Sequence, residues 1–231
     1  MALSGKWKAT MDAALSDSRS SAYDATIQAE LDDDDKRFAQ TPGYATLTPK
    51  LFKAVALVES GGPSNPAWTA RVMQIGNPGD PGYGVLKRQE QNSGITMSQQ
   101  LQADLLTKSI DEPTLNVRAG IALILTMAAK FSASPAIDPS DGAMRTHKVG
   151  KGDSLSRIAR SEGTTMQDLR QSNPGLAPSL HPGQSLNFHH AHMVTQIAGW
   201  RTIDADFVAD RYNGGGDPAY AEKLGYVMGK L

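Results

Sequence analysis

The chain has 231 residues, 39% hydrophobic and 20% charged, which allows one or two domains and suffices for a buried core. Its 23 Lys and Arg against 24 Asp and Glu leave a net charge of −1, so no overall basic field draws it to nucleic acid or anionic lipid. It has no cysteine, which excludes disulfide scaffolds, thiol nucleophiles and cysteine-ligated zinc, and its longest apolar run, Ile121 to Ala129, is too short to span a bilayer.

The opening stretch, MALSGKWKATMDAALS, lacks the apolar core of a secretory signal peptide, so the chain is expected to be made in a cytoplasm and exported by other means. Residues up to about 40 read as weakly amphipathic helix, and Asp32 to Asp35 with Lys36 as a solvated acidic helix end rather than a protease-tag remnant. Thr48 suits an N-cap and Pro49 the first helical position. Leu51, Phe52, Val55 and Val58 then form an apolar stripe that runs into Glu59-Ser60 and stops at Gly61-Gly62-Pro63. At the C-terminal end of an apolar helix, the Glu59 carboxylate faces the negative end of the dipole and is flanked by apolar residues. Both raise its pKa, as a general acid requires. Taken alone, it also reads as an exposed helix-end glutamate.

Arg71 to Gly84 holds four glycines and two prolines between 76 and 84, which precludes regular structure and exposes backbone amides beside Gln74 and Asn77. Asn116 to Lys130 reads as the core helix, with Val117, Ile121, Ile124, Leu125 and Ala128 in period and Asn116 as its cap. Residues 132 to 142 are rich in Ser, Pro, Asp and Gly and read as a linker.

Beyond that linker the composition changes. All five histidines, His147, His181, His189, His190 and His192, fall in one stretch, so the larger part holds neither a Ser-His-Asp triad nor a histidine-ligated metal. From Arg145 to His192 there are six basic and three acidic residues, against 17 and 21 elsewhere. This stretch reads as strand, turn, helix capped by Asp153, second helix over Met166 to Ser172, turn and closing strand. His189, His190 and His192 form either a metal site or, the better reading, a polar exit linker. Met193 to Ala209 reads as helix, Gly214-Gly215-Gly216 as a sharp stop, and Pro218 to Leu231 as a last short helix.

Five fragments in order carry a resemblance: Glu59-Ser60, Val72-Met73-Gln74-Ile75, Leu115-Asn116-Val117-Arg118-Ala119-Gly120, Arg211-Tyr212-Asn213-Gly214 and Tyr220-Ala221-Glu222-Lys223-Leu224. Over about 47–130 and 193–231 they resemble the lysozyme-like lytic transglycosylases, the family that includes goose-type lysozymes. The resemblance implies an α-helical catalytic domain acting on peptidoglycan glycan strands, with no metal or other cofactor. Glu59 would be the catalytic acid. Ser60, Met73, Gln74 and Asn116 would be substrate-binding residues; Tyr212 would hydrogen-bond near Glu59 and hold it, and Asn213 would shape the same wall. Tyr220 matches the family's final tyrosine, with Tyr226 as competitor. Two departures bear on cleft shape: Arg71-Val72 stands where the family has Gly-Leu, and Arg211 where it has Ala.

The inserted stretch resembles a LysM module, through Val149-x-x-Gly152-Asp153-Ser154-Leu155, Ile158-Ala159, Gly163-Thr164-Thr165, Leu169-x-x-x-Asn173-Pro174 and Pro182-Gly183-Gln184-x-Leu186. Glycan contacts would then come from Gly152, Asp153, Ser154, Leu155, Asn173, Pro174, Gly175 and Leu176. The expected architecture is mainly α: a lysozyme-like domain over 1–143 and 192–231, interrupted by a βααβ LysM module over 144–191. A transglycosylase needs only Glu59, as acid and then base, with the muramic 6-hydroxyl as nucleophile. An inverting hydrolase needs a second carboxylate about 6.5–9.5 Å away, for which Asp80 and then Asp217 are candidates. The alternatives are a non-catalytic peptidoglycan-binding protein on the same scaffold and a phage endolysin or tail-associated lysin. The resemblance to antibacterial effectors implies action in the periplasm or wall of a target bacterium, with a secretion-system carrier and an immunity protein as partners. Nucleic-acid binding and membrane insertion are not expected.

Overall fold

The computed structural model describes residues 3–137 and 141–231. Helix α1 (Gly5–Ser16) is capped by Ser4, whose Oγ accepts from the Trp7 N–H at 3.2 Å. Helix α2 (Asp24–Phe38) buries Ile27, Leu31 and Phe38 along one stripe. Asp34 lies on that same stripe and is buried, while Asp32 and Asp33 are exposed, so the acidic run is not a uniformly solvated helix end. The helical period turns one carboxylate of the four inward. Burial, then the neighbouring Glu30, pushes Asp34 up to about 8, although Arg37 Nη1 donates to its Oδ1 at 2.9 Å. The folded state thus holds an extra proton between the ordinary value of 3.8 and about 8. Stability falls as pH rises through that window, by at most ~1.4 kcal/mol per pH unit. Asp34→Asn keeps an acceptor for Arg37 and removes the ionisation. Its urea midpoint should gain on that of the parent between pH 5 and pH 8; a midpoint that falls further behind as pH rises would contradict the buried, proton-holding carboxyl.

Helix α3 (Pro49–Ser60) packs on α2 and ends at Gly61, whose left-handed φ of 76° stops the helix. Thr48 occupies the cap position but makes no side-chain cap bond. Three short helices, α4 (Gly82–Lys87), α5 (Ser93–Thr96) and α6 (Gln99–Thr107), surround α7 (Pro113–Ala128), which is buried on nearly every face. The core helix starts at Pro113, a turn before the expected Asn116.

The core helix ends at Ala128 rather than Lys130, and residues 129–137 form a strand, β1 (Ala129–Ile137), which takes up the first half of the linker expected over 132–142; Asp138, Pro139 and Ser140 of that linker lie outside the described residues. Its partner is β4 (Ala191–Trp200), where a helix was expected. Val194, Ile197 and Ala198 fit a helical stripe, but Val194, Thr195 and Ile197 are β-branched and find a strand to pair with. Helix α10 (Ala205–Arg211) follows, capped by Asp204, whose Oδ1 accepts from the Phe207 N–H at 2.8 Å. Helix α11 (Tyr220–Lys230) packs on α3 and α10.

In chain order, a small βααβ unit comes between β1 and β4. Strands β2 (Arg145–Lys148) and β3 (Ser185–Phe188) pair antiparallel, Arg145 opposite Phe188 and Lys148 opposite Ser185. Helices α8 (Leu155–Ser161) and α9 (Met166–Gln171) join them over a core of Val149, Ile158, Ala159, Leu169, Leu186 and Phe188. The architecture is therefore mainly α with one small mixed module. By contacts the chain divides into Met1–Phe131 with Ile197–Leu231, and Ser132–Gln196. Among the described residues no helix is long and apolar enough to cross a membrane.

Candidate functional site

Glu59 occupies the last turn of α3, where Gly61 and Gly62 turn the chain away. The turn is tight: a Cβ on Gly62 would lie 2.6 Å from the Ala14 Cβ. Tyr220, buried at the start of α11, donates its hydroxyl to Glu59 Oε1 at 2.5 Å. Burial raises the Glu59 pKa; the Tyr220 bond opposes that, and the negative Asp80 and Asp217 reinforce it. Tyr220 is raised in turn by burial and by the facing Glu59 carboxyl.

Tyr212 does not hold Glu59, contrary to the role the resemblance implied. Its hydroxyl donates to the Met73 carbonyl at 2.6 Å. It still senses the site, since its pKa is raised by burial and then by the charges of Glu59 and Asp80. Both tyrosines end up beside one carboxyl, one touching it and one fixing the loop next to it.

That loop is set from below by Asn116. Fully buried inside α7 rather than capping it, Asn116 accepts from the Met73 N–H at 2.8 Å. Its Nδ2 donates to the Ile75 and Ile110 carbonyls at 2.9 and 3.1 Å. Met73 is buried against Gly120, where a Cβ would stand 2.6 Å from the Met73 Cβ, so only glycine admits this approach. Gln74 adopts a left-handed φ of 58° and spends its side chain within the loop, donating to the Arg71 carbonyl at 2.7 Å and accepting from Asn77 Nδ2 at 2.6 Å. Arg71 braces the loop through Asp111 at 2.6 Å and Asn77 at 3.1 Å, a role the sequence reading missed. Ser60 is buried, its Oγ donating to the Ala56 carbonyl at 2.6 Å and accepting from the Gly62 N–H at 3.1 Å. Ser60, Met73 and Asn116 are therefore framework residues, not groups lining an open cleft.

Of the two further carboxylates, Asp80 accepts from the Gly76 and Gly82 N–H groups at 3.0 and 2.8 Å. Asp217 is held below its ordinary value by Lys223 Nζ at 2.6 Å and by the Ala219 N–H at 3.0 Å. Its own N–H donates to Asn213 Oδ1 at 2.8 Å, which ties the glycine turn to the start of α11. The site thus presents one carboxyl poised to carry a proton, with a tyrosine donor, and two carboxylates engaged with the backbone or a lysine.

In the βααβ unit, Gly152, with φ of 84°, and Ser154 are exposed before α8, and Pro174 and Gly175 are exposed after α9. Leu155 and Leu176 pack against the small core. Ser154, not Asp153, caps α8, accepting from the Arg157 N–H at 3.3 Å. Asp153 instead accepts from the Gly150 N–H at 2.7 Å and faces His147 Nε2 at 3.2 Å. Asn173 turns inward: Nδ2 donates to the Leu169 and Asn187 carbonyls, both at 2.8 Å, and Oδ1 accepts from the Asn187 N–H at 2.9 Å. Its side chain builds the loop, which leaves Pro174 and Gly175 as the exposed face. His189 is not part of a free linker, since its N–H and Nδ1 meet the buried Asp168 at 2.7 and 3.0 Å. The His190 ring stacks on Phe188.

No curated protein and no solved structure matches the chain. Residues 147–188 match the family model described as LysM domain, which implies binding to glycans of the peptidoglycan or chitin type.

Proposed function

We propose that the helical unit cleaves peptidoglycan glycan strands between N-acetylmuramic acid and N-acetylglucosamine, with Glu59 as general acid and then base, and that the LysM domain holds the same polymer. The observation that carries this is the Glu59 carboxyl, half-buried at a helix C-terminus, raised in pKa and hydrogen-bonded by Tyr220 at 2.5 Å. A carboxyl so placed keeps its proton nearer neutrality and delivers it to a glycosidic oxygen as the oxocarbenium-like centre develops. The Tyr220 hydroxyl orients the carboxyl and remains a donor when Glu59 is ionised. Glu59 then accepts the proton of the muramic 6-hydroxyl as that oxygen closes on the anomeric carbon, leaving a 1,6-anhydro end.

The engaged states of Asp80 and Asp217 favour this intramolecular outcome over inverting hydrolysis, which needs a carboxylate free to activate water. Tethering the LysM domain within the same chain raises the local concentration of glycan. Purified sacculi are the test: the chain should co-sediment with them and release soluble muropeptides. Co-sedimentation without release at any pH between 4 and 8 would favour a non-catalytic wall-binding protein.

A further inference from the structure

The helical unit carries 17 basic and 19 acidic residues, yet one of its cavities, of about 450 Å³, is lined by two arginines and no acidic residue. Arg201 and Arg211 face it together with Gln91, Asn92, Met127 and Phe131. Arg201 is fixed there: its N–H donates to the Ala128 carbonyl at 2.9 Å and its Nη1 to the Met127 and Ala129 carbonyls at 3.1 and 3.2 Å. This clamp on the C-terminal end of α7 leaves Nε and Nη2 without a protein partner among the described residues. Among the described residues Arg211 makes one ion pair, Nε to the exposed Asp210 at 2.9 Å. Gln91 and Asn92 hold left-handed φ values of 52° and 62°, with Gln89 beside them at 55°. Gln91 and Asn92 are both exposed, and they present two side-chain amides to the cavity.

We propose that this cavity is a carboxylate subsite that takes the peptide stem of a peptidoglycan strand, an inference resting on the function proposed above. Guanidinium groups bind carboxylates bidentately, amides pair with peptide bonds, and Met127 with Phe131 receives methyl side chains. Each of these groups occurs in a short acidic peptide. A phosphate polyanion fits less well, because it needs a basic stripe and this unit has an acidic excess. Arg211 directly precedes Tyr212 in the chain, and the Tyr212 hydroxyl holds the Met73 carbonyl of the candidate site.

The test is calorimetric binding of a soluble N-acetylmuramyl peptide with free carboxylates to the whole chain. The same peptide with its carboxylates amidated, and a chitin oligosaccharide, serve as controls. Arg211→Ala should weaken binding of the acidic peptide tenfold or more and Arg211→Lys less, with chitin oligosaccharide binding unchanged. Equal affinity of the parent for the acidic and amidated peptides, unchanged affinity in Arg211→Ala, or displacement of the peptide by a lower concentration of a short oligonucleotide would each overturn it. The readout is binding, so a chain that takes the acidic peptide through Arg211 but cleaves nothing keeps the subsite and removes only the cleavage.

Discussion

Glu59→Gln is expected to lower release of soluble muropeptides from sacculi by about 10²–10⁴-fold, the usual range for removing a positioned general acid. The side chain keeps its shape and can still meet the Tyr220 hydroxyl, so substrate binding and fold should survive. Activity of the parent should fall as pH rises through the raised Glu59 value, because the acid must be protonated to deliver its proton. Stability gives a check independent of turnover. Between the ordinary value of 4.5 and the raised one, the folded parent binds more protons than the unfolded chain, so its stability falls with rising pH. Gln does not titrate. The melting temperature of Glu59→Gln should therefore gain on the parent from pH 4 to pH 8. A variant that releases muropeptides at the parental rate, or loses ground in stability as pH rises, would remove Glu59 from the role given to it.

Asn116→Leu is expected to cost ~3–5 kcal/mol of unfolding free energy. The change is close in volume, so the loss comes from polarity. The Met73 N–H and the Ile75 and Ile110 carbonyls all lose their partner inside the core. Each buried group left unpaired costs about 1–3 kcal/mol. The effect should reach the candidate site, because the loop that Asn116 fixes carries the Met73 carbonyl bound by Tyr212. Urea unfolding of the variant measures the loss. A change below ~1 kcal/mol would show that the loop is held mainly by Arg71, Asp111 and Asn77 instead.

Helix α3 was legible because Pro49, a clean apolar stripe and Gly61-Gly62 mark its start, face and end. The βααβ unit was legible because its turn residues sit at fixed offsets from its apolar residues. The ribbon was not. Val194, Ile197 and Ala198 satisfy a helical stripe as well as a strand, and β1 hides in a Ser- and Pro-containing segment whose partner is some sixty residues away. Non-local pairing of this kind leaves no local signature. Adjacent capping residues gave a similar miss, since Asp153 and Ser154 are both good caps and only the backbone path decides between them. At the candidate site the sequence placed Glu59, Tyr212 and Tyr220 in order. Which hydroxyl reaches the carboxyl depends on how α11 packs on α3, a tertiary fact. Asn116 was read as a cap because asparagine favours helix starts, yet Pro113 already opens that helix and frees Asn116 for the loop.

The most direct test of the central claim is mass spectrometry of the soluble products released from purified peptidoglycan, comparing the parent chain with Glu59→Gln. Muropeptides ending in 1,6-anhydro-muramic acid, released by the parent and lost in the variant, are the expected result. Reducing muramic ends would contradict the intramolecular step and require Asp80 or Asp217 to leave its present partners, while release that persists in Glu59→Gln would contradict the account at its centre.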